Sequence, residues 1–136
     1  METTNYFNTL IEVAEDCPID HAEVPQERGG KKTIALLQYE IIAANPYKYT
    51  SDDVIFQVHA DRKDIPQSQR VAEREKFFSK GQPCLRSSPL TKRYGWGVHS
   101  NADGKIAPYA MESQEYKDMA QTEDIKSLKA MRSKRA

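Results

Sequence analysis

The run Lys92-Arg93-Tyr94-Gly95-Trp96-Gly97-Val98-His99 leads into Ser100-Asn101-Ala102-Asp103-Gly104-Lys105, and it constrains the fold more than any other stretch. It holds the only tryptophan, set between two glycines, and it runs into an Asp-Gly turn. Small and large residues alternating before such a turn predict a β-hairpin from Tyr94 to about Ala110. The glycines leave one face of its first strand bare, so that a backbone, a ring or a ligand comes close there. Alternation also puts Trp96 and His99 on opposite faces.

Other elements follow from periodicity and punctuation. Residues 6–13 alternate as a strand, with Phe7, Thr9, Ile11 and Val13 on one side. Residues 14–32 form a long acidic loop, and loops of that length in a small domain are often functional. Thr33 caps a helix to Ala44 with an apolar stripe of Ile34, Leu37 and Ile41, which Asn45-Pro46 ends. Val54 to Ala60 alternates and is expected as a strand. Pro66 to Lys80 is expected as a helix capped by Asp64 and stopped by Gly81, with Val71 and Phe78 on its apolar stripe. Residues 82–93 read as an irregular basic loop. Ser113 caps a short helix containing Tyr116 and Met119, and Ile125, Leu128 and Met131 are spaced for a helical tail.

This order predicts an α+β class: one domain over residues 1–122, with a mainly antiparallel sheet of about four strands and helices packed on one side. Residues 123–136 would be a basic tail, helical or frayed. The 38% hydrophobic and 29% charged composition is that of an ordinary globular protein. No apolar run is long enough for a bilayer, and Met1-Glu2-Thr3-Thr4-Asn5 lacks the basic start of a signal peptide, so a cytoplasmic address without membrane contact is expected. Net charge is zero, which removes the footprint of a dedicated nucleic-acid binder. It is unevenly placed: residues 1–27 carry seven acids and no Lys or Arg, and residues 125–136 carry five bases and no acid. That asymmetry fits a basic arm for a polyanion, or two ends that attract each other.

Motifs of chemistry are sparse. Gly29-Gly30-Lys31-Lys32-Thr33 precedes a helix but lacks the first glycine and the residue order of a phosphate loop, and no cofactor motif is present. Cys17 and Cys84 stand far apart without CxxC spacing and are expected as free thiols. If the strands holding His59 and His99 were neighbours, those histidines would share a face with Glu12 and Asn8, a loose acid/base or metal set. No HxH or HxxxH spacing supports it. The strongest collective signal is the interleaving of bases and aromatics at Lys80, Arg86, Lys92, Arg93, Tyr94, Trp96 and Lys105. Arg and Lys pair with anions while Tyr and Trp stack on flat ligands.

Several longer stretches carry a resemblance: Thr3-Thr4-Asn5-Tyr6, Glu12-Val13-Ala14-Glu15-Asp16-Cys17-Pro18, residues 45–54 from Asn45-Pro46-Tyr47, and residues 88–99 from Ser88-Pro89 to Val98-His99. Together they resemble a family of short, single-domain, mostly bacterial proteins known as a domain of unknown function. The resemblance spans residues 3 to about 118, leaves the basic tail outside, and implies no activity, cofactor or catalytic residue.

The expected function is therefore that of a small cytosolic binding domain for an anionic or aromatic small ligand. Its groove would lie between the Tyr47–Asp53 loop and the Lys92–His99 strand, with Tyr47, Tyr49, Lys92, Arg93, Tyr94, Trp96 and His99 as ligand-binding residues and no metal or cofactor. Two alternatives stand beside it: a histidine/carboxylate enzyme, and binding of nucleic acid or a partner through the tail.

Overall fold

A computed structural model describes residues 1–134. Its strands are β1 (Thr9–Glu12), β2 (Trp96–Ser100), β3 (Ile106–Ala110) and β4 (Lys126–Lys129); its helices are α1 (Ile34–Ala44), α2 (Ser51–Arg62), α3 (Arg70–Phe77), α4 (Pro89–Lys92) and α5 (Gln114–Gln121). The four strands form one sheet in the order β3-β2-β1-β4. The β2–β3 hairpin is antiparallel, with His99 opposite Ala107 and Gly97 opposite Tyr109. β1 pairs antiparallel with β2 (Leu10 opposite His99) and parallel with β4. The class is α+β, and the sheet is mixed but mostly antiparallel.

The hairpin forms where the Asp-Gly turn places it. Asn101 makes the corner, its side-chain oxygen accepting from the backbone N–H of Asp103 and Lys105 (3.0 and 2.9 Å). Thr33 caps α1 as expected, accepting from the Leu36 N–H. One face of the sheet buries Ile11, Val98 and Ile106 against Ala35 and Ile42 of α1, Val54 of α2 and Leu90 of α4. On the other face α5 lays the Tyr116 ring against Gly97, and the Tyr116 hydroxyl accepts from the Val13 N–H (2.9 Å).

Residues 54–60 are not a strand. They lie in α2, which begins at a complete capping box: Thr50 Oγ1 accepts from the Asp53 N–H (3.1 Å), and the Asp53 carboxylate accepts from the Thr50 N–H (3.0 Å). The misleading alternation has a physical cause. Val54 joins the main core, whereas Phe56 and Ala60 face a second cluster with Phe78, so α2 is buried on two faces and its apolar residues alternate. Further along, Asp64 has φ +51° and caps nothing; a 3₁₀ turn (Gln67–Gln69) precedes α3, which ends at Phe77 before Gly81 is reached. Val71 is exposed while Phe78 is fully buried. Within the expected basic loop, Ser88 caps α4 with Pro89 in its first turn.

The tail differs most from its periodicity. Residues 126–129 are a strand, because the open edge of β1 offers backbone partners: the Lys126 N–H donates to Asn8 O (2.9 Å) and the Ala130 N–H to Glu12 O (2.8 Å). The Asp16 carboxylate then accepts from the Ser133 and Lys134 N–H groups, and Lys129 Nζ lies 3.7 Å from Glu15. The two oppositely charged ends of the chain meet. Arg135 and Ala136 of the expected tail lie outside the described residues. No helix among the described residues is long and apolar enough to cross a membrane.

Candidate functional site

The glycines of the hairpin are approached by the chain itself. A Cβ on Gly95 would stand 2.9 Å from the His21 carbonyl and 3.0 Å from Ala22 Cα, and one on Gly97 would stand 2.4 Å from the Tyr116 ring. The bare face is therefore filled by the acidic loop and by α5. Trp96 turns into the helix-covered core side. Its ring packs against Tyr39 (centroids 4.8 Å apart), and its Nε1 donates to the Glu23 carbonyl (2.9 Å).

Tyr47 and His99, expected in one groove, do meet. Tyr47 has φ +59° and its N–H donates to Ile106 O, which swings the ring round the β3 edge. Its hydroxyl lies 2.8 Å from His99 Nδ1 and 2.7 Å from the Tyr109 hydroxyl. One Tyr47 proton cannot serve both neighbours, so either Tyr109 donates to Tyr47 and Tyr47 to His99, or the chain runs in reverse from a protonated Nδ1. Burial holds the His99 pKa below its ordinary value. Burial, followed by the hydrogen bond with Tyr109, raises that of Tyr47.

The sign of the stability effect follows. The unfolded chain protonates His99 near pH 6.5 while the folded chain resists, so this contribution is full above that pH and is lost as pH falls through the lowered folded value. Wild type will therefore lose stability relative to His99→Gln between about pH 7.5 and pH 5 in urea unfolding. A constant difference across that range would reject the burial account.

His59 does not join this group. It lies on α2, stacked on Phe77 (4.4 Å), on the face of the sheet opposite His99. Among the described residues no group of three or more His, Cys, Asp or Glu is placed to hold a metal ion. The His59–His99–Glu12 set is not assembled. The basic and aromatic residues also disperse: Arg86 Nε donates to Lys129 O, Lys105 bridges to Thr50, and Tyr49 packs on the main core with Lys48 above its ring. Lys92 ends α4 and does not line the cleft that Arg93 and Tyr94 share.

What Arg93 and Tyr94 do line is a cleft of about 590 Å³ beside the start of α1. Two further arginines enter it from distant segments, Arg28 and Arg62. Arg28 is placed by Gly29-Gly30, which make a two-residue hairpin turn (φ +59° and +75°) closed by paired Arg28–Lys31 backbone hydrogen bonds. Arg62 ends α2, and Arg93 follows α4. Thr33, Ile34 and Ala35 line the same cleft, and the backbone N–H groups at the start of a helix precede its first intrahelical acceptor. Among the described residues none of the three arginines forms an ion pair, and the one acid in the cleft, Glu23, pairs with His21 (3.2 Å). Lys32 is taken up by Glu40.

A family model matches residues 1–136. The chain belongs to DUF6157, a family of unknown function. The match includes the basic tail, which the resemblance read from the sequence had left outside. No curated protein and no solved structure matches the chain. The family thus brings no residue roles, and the chemistry of the arginine cleft stands on geometry alone.

Proposed function

We propose that this DUF6157 chain is a binding domain for a small anionic ligand, held in the cleft between the start of α1 and Arg93-Tyr94. The observation that carries the reading is the convergence of Arg28, Arg62 and Arg93, from three separate segments, on one cleft without carboxylate partners. Guanidinium groups match the oxygens of carboxylate and phosphate, and a helix N-terminus adds its dipole in the same sense. Tyr94 on the wall offers a ring to a flat ligand.

Calorimetric titration of the full chain with phenyl phosphate tests this. Arg62→Glu is expected to weaken binding by about 10- to 100-fold, the worth of a charge-assisted contact. Lys92→Glu, outside the cleft, should leave it unchanged. Equal affinity in wild type and Arg62→Glu would sink the reading, as would wild type that takes up no phenyl phosphate at low salt.

A further inference from the structure

The arginine cleft is not closed. It adjoins a second cleft of about 270 Å³, and Ile34, Arg62 and Pro89 line both. The second part is an apolar trough between α1, α2 and the segment before α4, walled by Ile55, Val58, Phe77 and Pro83.

Most of its polar side chains are already engaged within the protein. Gln38 Oε1 accepts from Ser88 Oγ (2.5 Å), and Gln82 Nε2 donates to Phe77 O (2.7 Å). The Cys84 thiol contacts the Tyr6 hydroxyl (3.4 Å), and the His59 ring lies on Phe77. What remains presented to the trough is mainly carbon. A ligand body lying there gains by burial and finds few polar groups to satisfy.

We infer that the ligand is amphiphilic: an anionic head group among Arg28, Arg62 and Arg93, and an unbranched apolar chain running past Ile34 into the trough. The inference rests on the anion-binding reading and adds the ligand's other half. Charge complementarity fixes which end of the ligand points where, and Arg62, common to both clefts, marks the junction. At roughly 30 Å³ per non-hydrogen atom the trough takes about nine such atoms, a medium-length chain.

The test is a calorimetric series of methyl, butyl, octyl and dodecyl phosphate on the full chain. Affinity should rise about two- to fourfold per added methylene until the chain reaches roughly eight or nine carbons, then level off. Ser87→Trp, which fills the trough from its rim, should flatten that dependence and leave methyl phosphate binding unaltered. Pro83→Gln, at a residue that lines the trough and not the arginine cleft, should reduce the gain for octyl phosphate alone. Methyl phosphate bound without any chain-length dependence would overturn the inference and spare the arginine cleft. Failure of every member to bind would remove both. A length dependence that persists in Ser87→Trp would place the chain elsewhere and overturn the inference. Co-sedimentation with phosphatidic acid vesicles, with no binding of free octyl phosphate, would overturn it in favour of a membrane headgroup.

Discussion

Asp52→Ala should lower the unfolding free energy by about 3–4 kcal/mol, the loss expected when a buried charged hydrogen-bond acceptor is removed and its donors are left behind. Asp52 is 2% exposed in the first turn of α2. Its carboxylate accepts from Thr4 N–H, Thr4 Oγ1 and Thr3 Oγ1, each at 2.7 Å. Its own N–H donates to Asn5 Oδ1 (2.9 Å). Residues 3–5 and the helix start therefore satisfy each other. The truncation strands the buried Thr4 N–H and leaves the Thr4 hydroxyl with Ser51 Oγ (3.0 Å) as its remaining partner. For a domain of this size the melting temperature should fall by roughly 10–15 °C. Asp52→Asn keeps one carbonyl oxygen for Thr4 and should cost about half as much. Amide exchange gives an independent readout, because Thr4 should lose protection while Val98 keeps it until global unfolding. An unchanged melting temperature in Asp52→Ala would reject the clamp.

That clamp joins two of the stretches that carried the family resemblance, Thr3-Thr4-Asn5 and Ser51-Asp52-Asp53, yet it was not visible as a contact. Sequence reasoning recovers what is local. The 94–110 hairpin, the Thr33 cap and the Ser113 cap depend on residues within a few positions of one another, and all three form. It misplaces what depends on how an element is surrounded. α2 alternates because it is buried on two sides, a tertiary fact that imitates a strand. The capping box at Thr50 and Asp53 was the local signal that outweighs the alternation. β4 forms because β1 has a free edge, which nothing in residues 123–136 announces.

The candidate site divides the same way. Tyr47 and His99 were placed on facing segments, and they touch. Arg93 and Tyr94 line the arginine cleft, but no local pattern marks Arg28 and Arg62 as their partners. Arg28 is set by Gly29-Gly30, whose composition suggests a phosphate loop but which form a tight turn that aims its flanks. Arg62 depends on α2: on a strand ending at Ala60 it is a loop residue, whereas on a helix it is carried to the cleft. Its place in the lining of both clefts follows from that one reassignment.

Gly95→Ala and Gly97→Ala should each destabilise the protein by about 2–3 kcal/mol, but only the second should be rescued. At Gly97 the obstacle is a side chain. The new methyl meets the Tyr116 ring at 2.4 and 2.7 Å, and that ring is held by its hydroxyl on the Val13 N–H. Removing the ring should remove most of the penalty. In a double-mutant cycle, Gly97→Ala in a Tyr116→Ala background should cost under about 1 kcal/mol, leaving a coupling of roughly 2 kcal/mol. At Gly95 the obstacle is main chain, the His21 carbonyl and Ala22 Cα, and the backbone itself has φ +78°. No side-chain truncation relieves either, so its cost should persist in the Tyr116→Ala background. If Gly95→Ala is tolerated, the acidic loop does not lie on the hairpin, and Trp96 loses the Glu23 carbonyl as its partner. Equilibrium urea unfolding of the three single and two double variants decides it, because a loop held in place adds to the Gly95 penalty whether or not Tyr116 is present, and a loose loop leaves only the roughly 1–2 kcal/mol cost of the left-handed backbone.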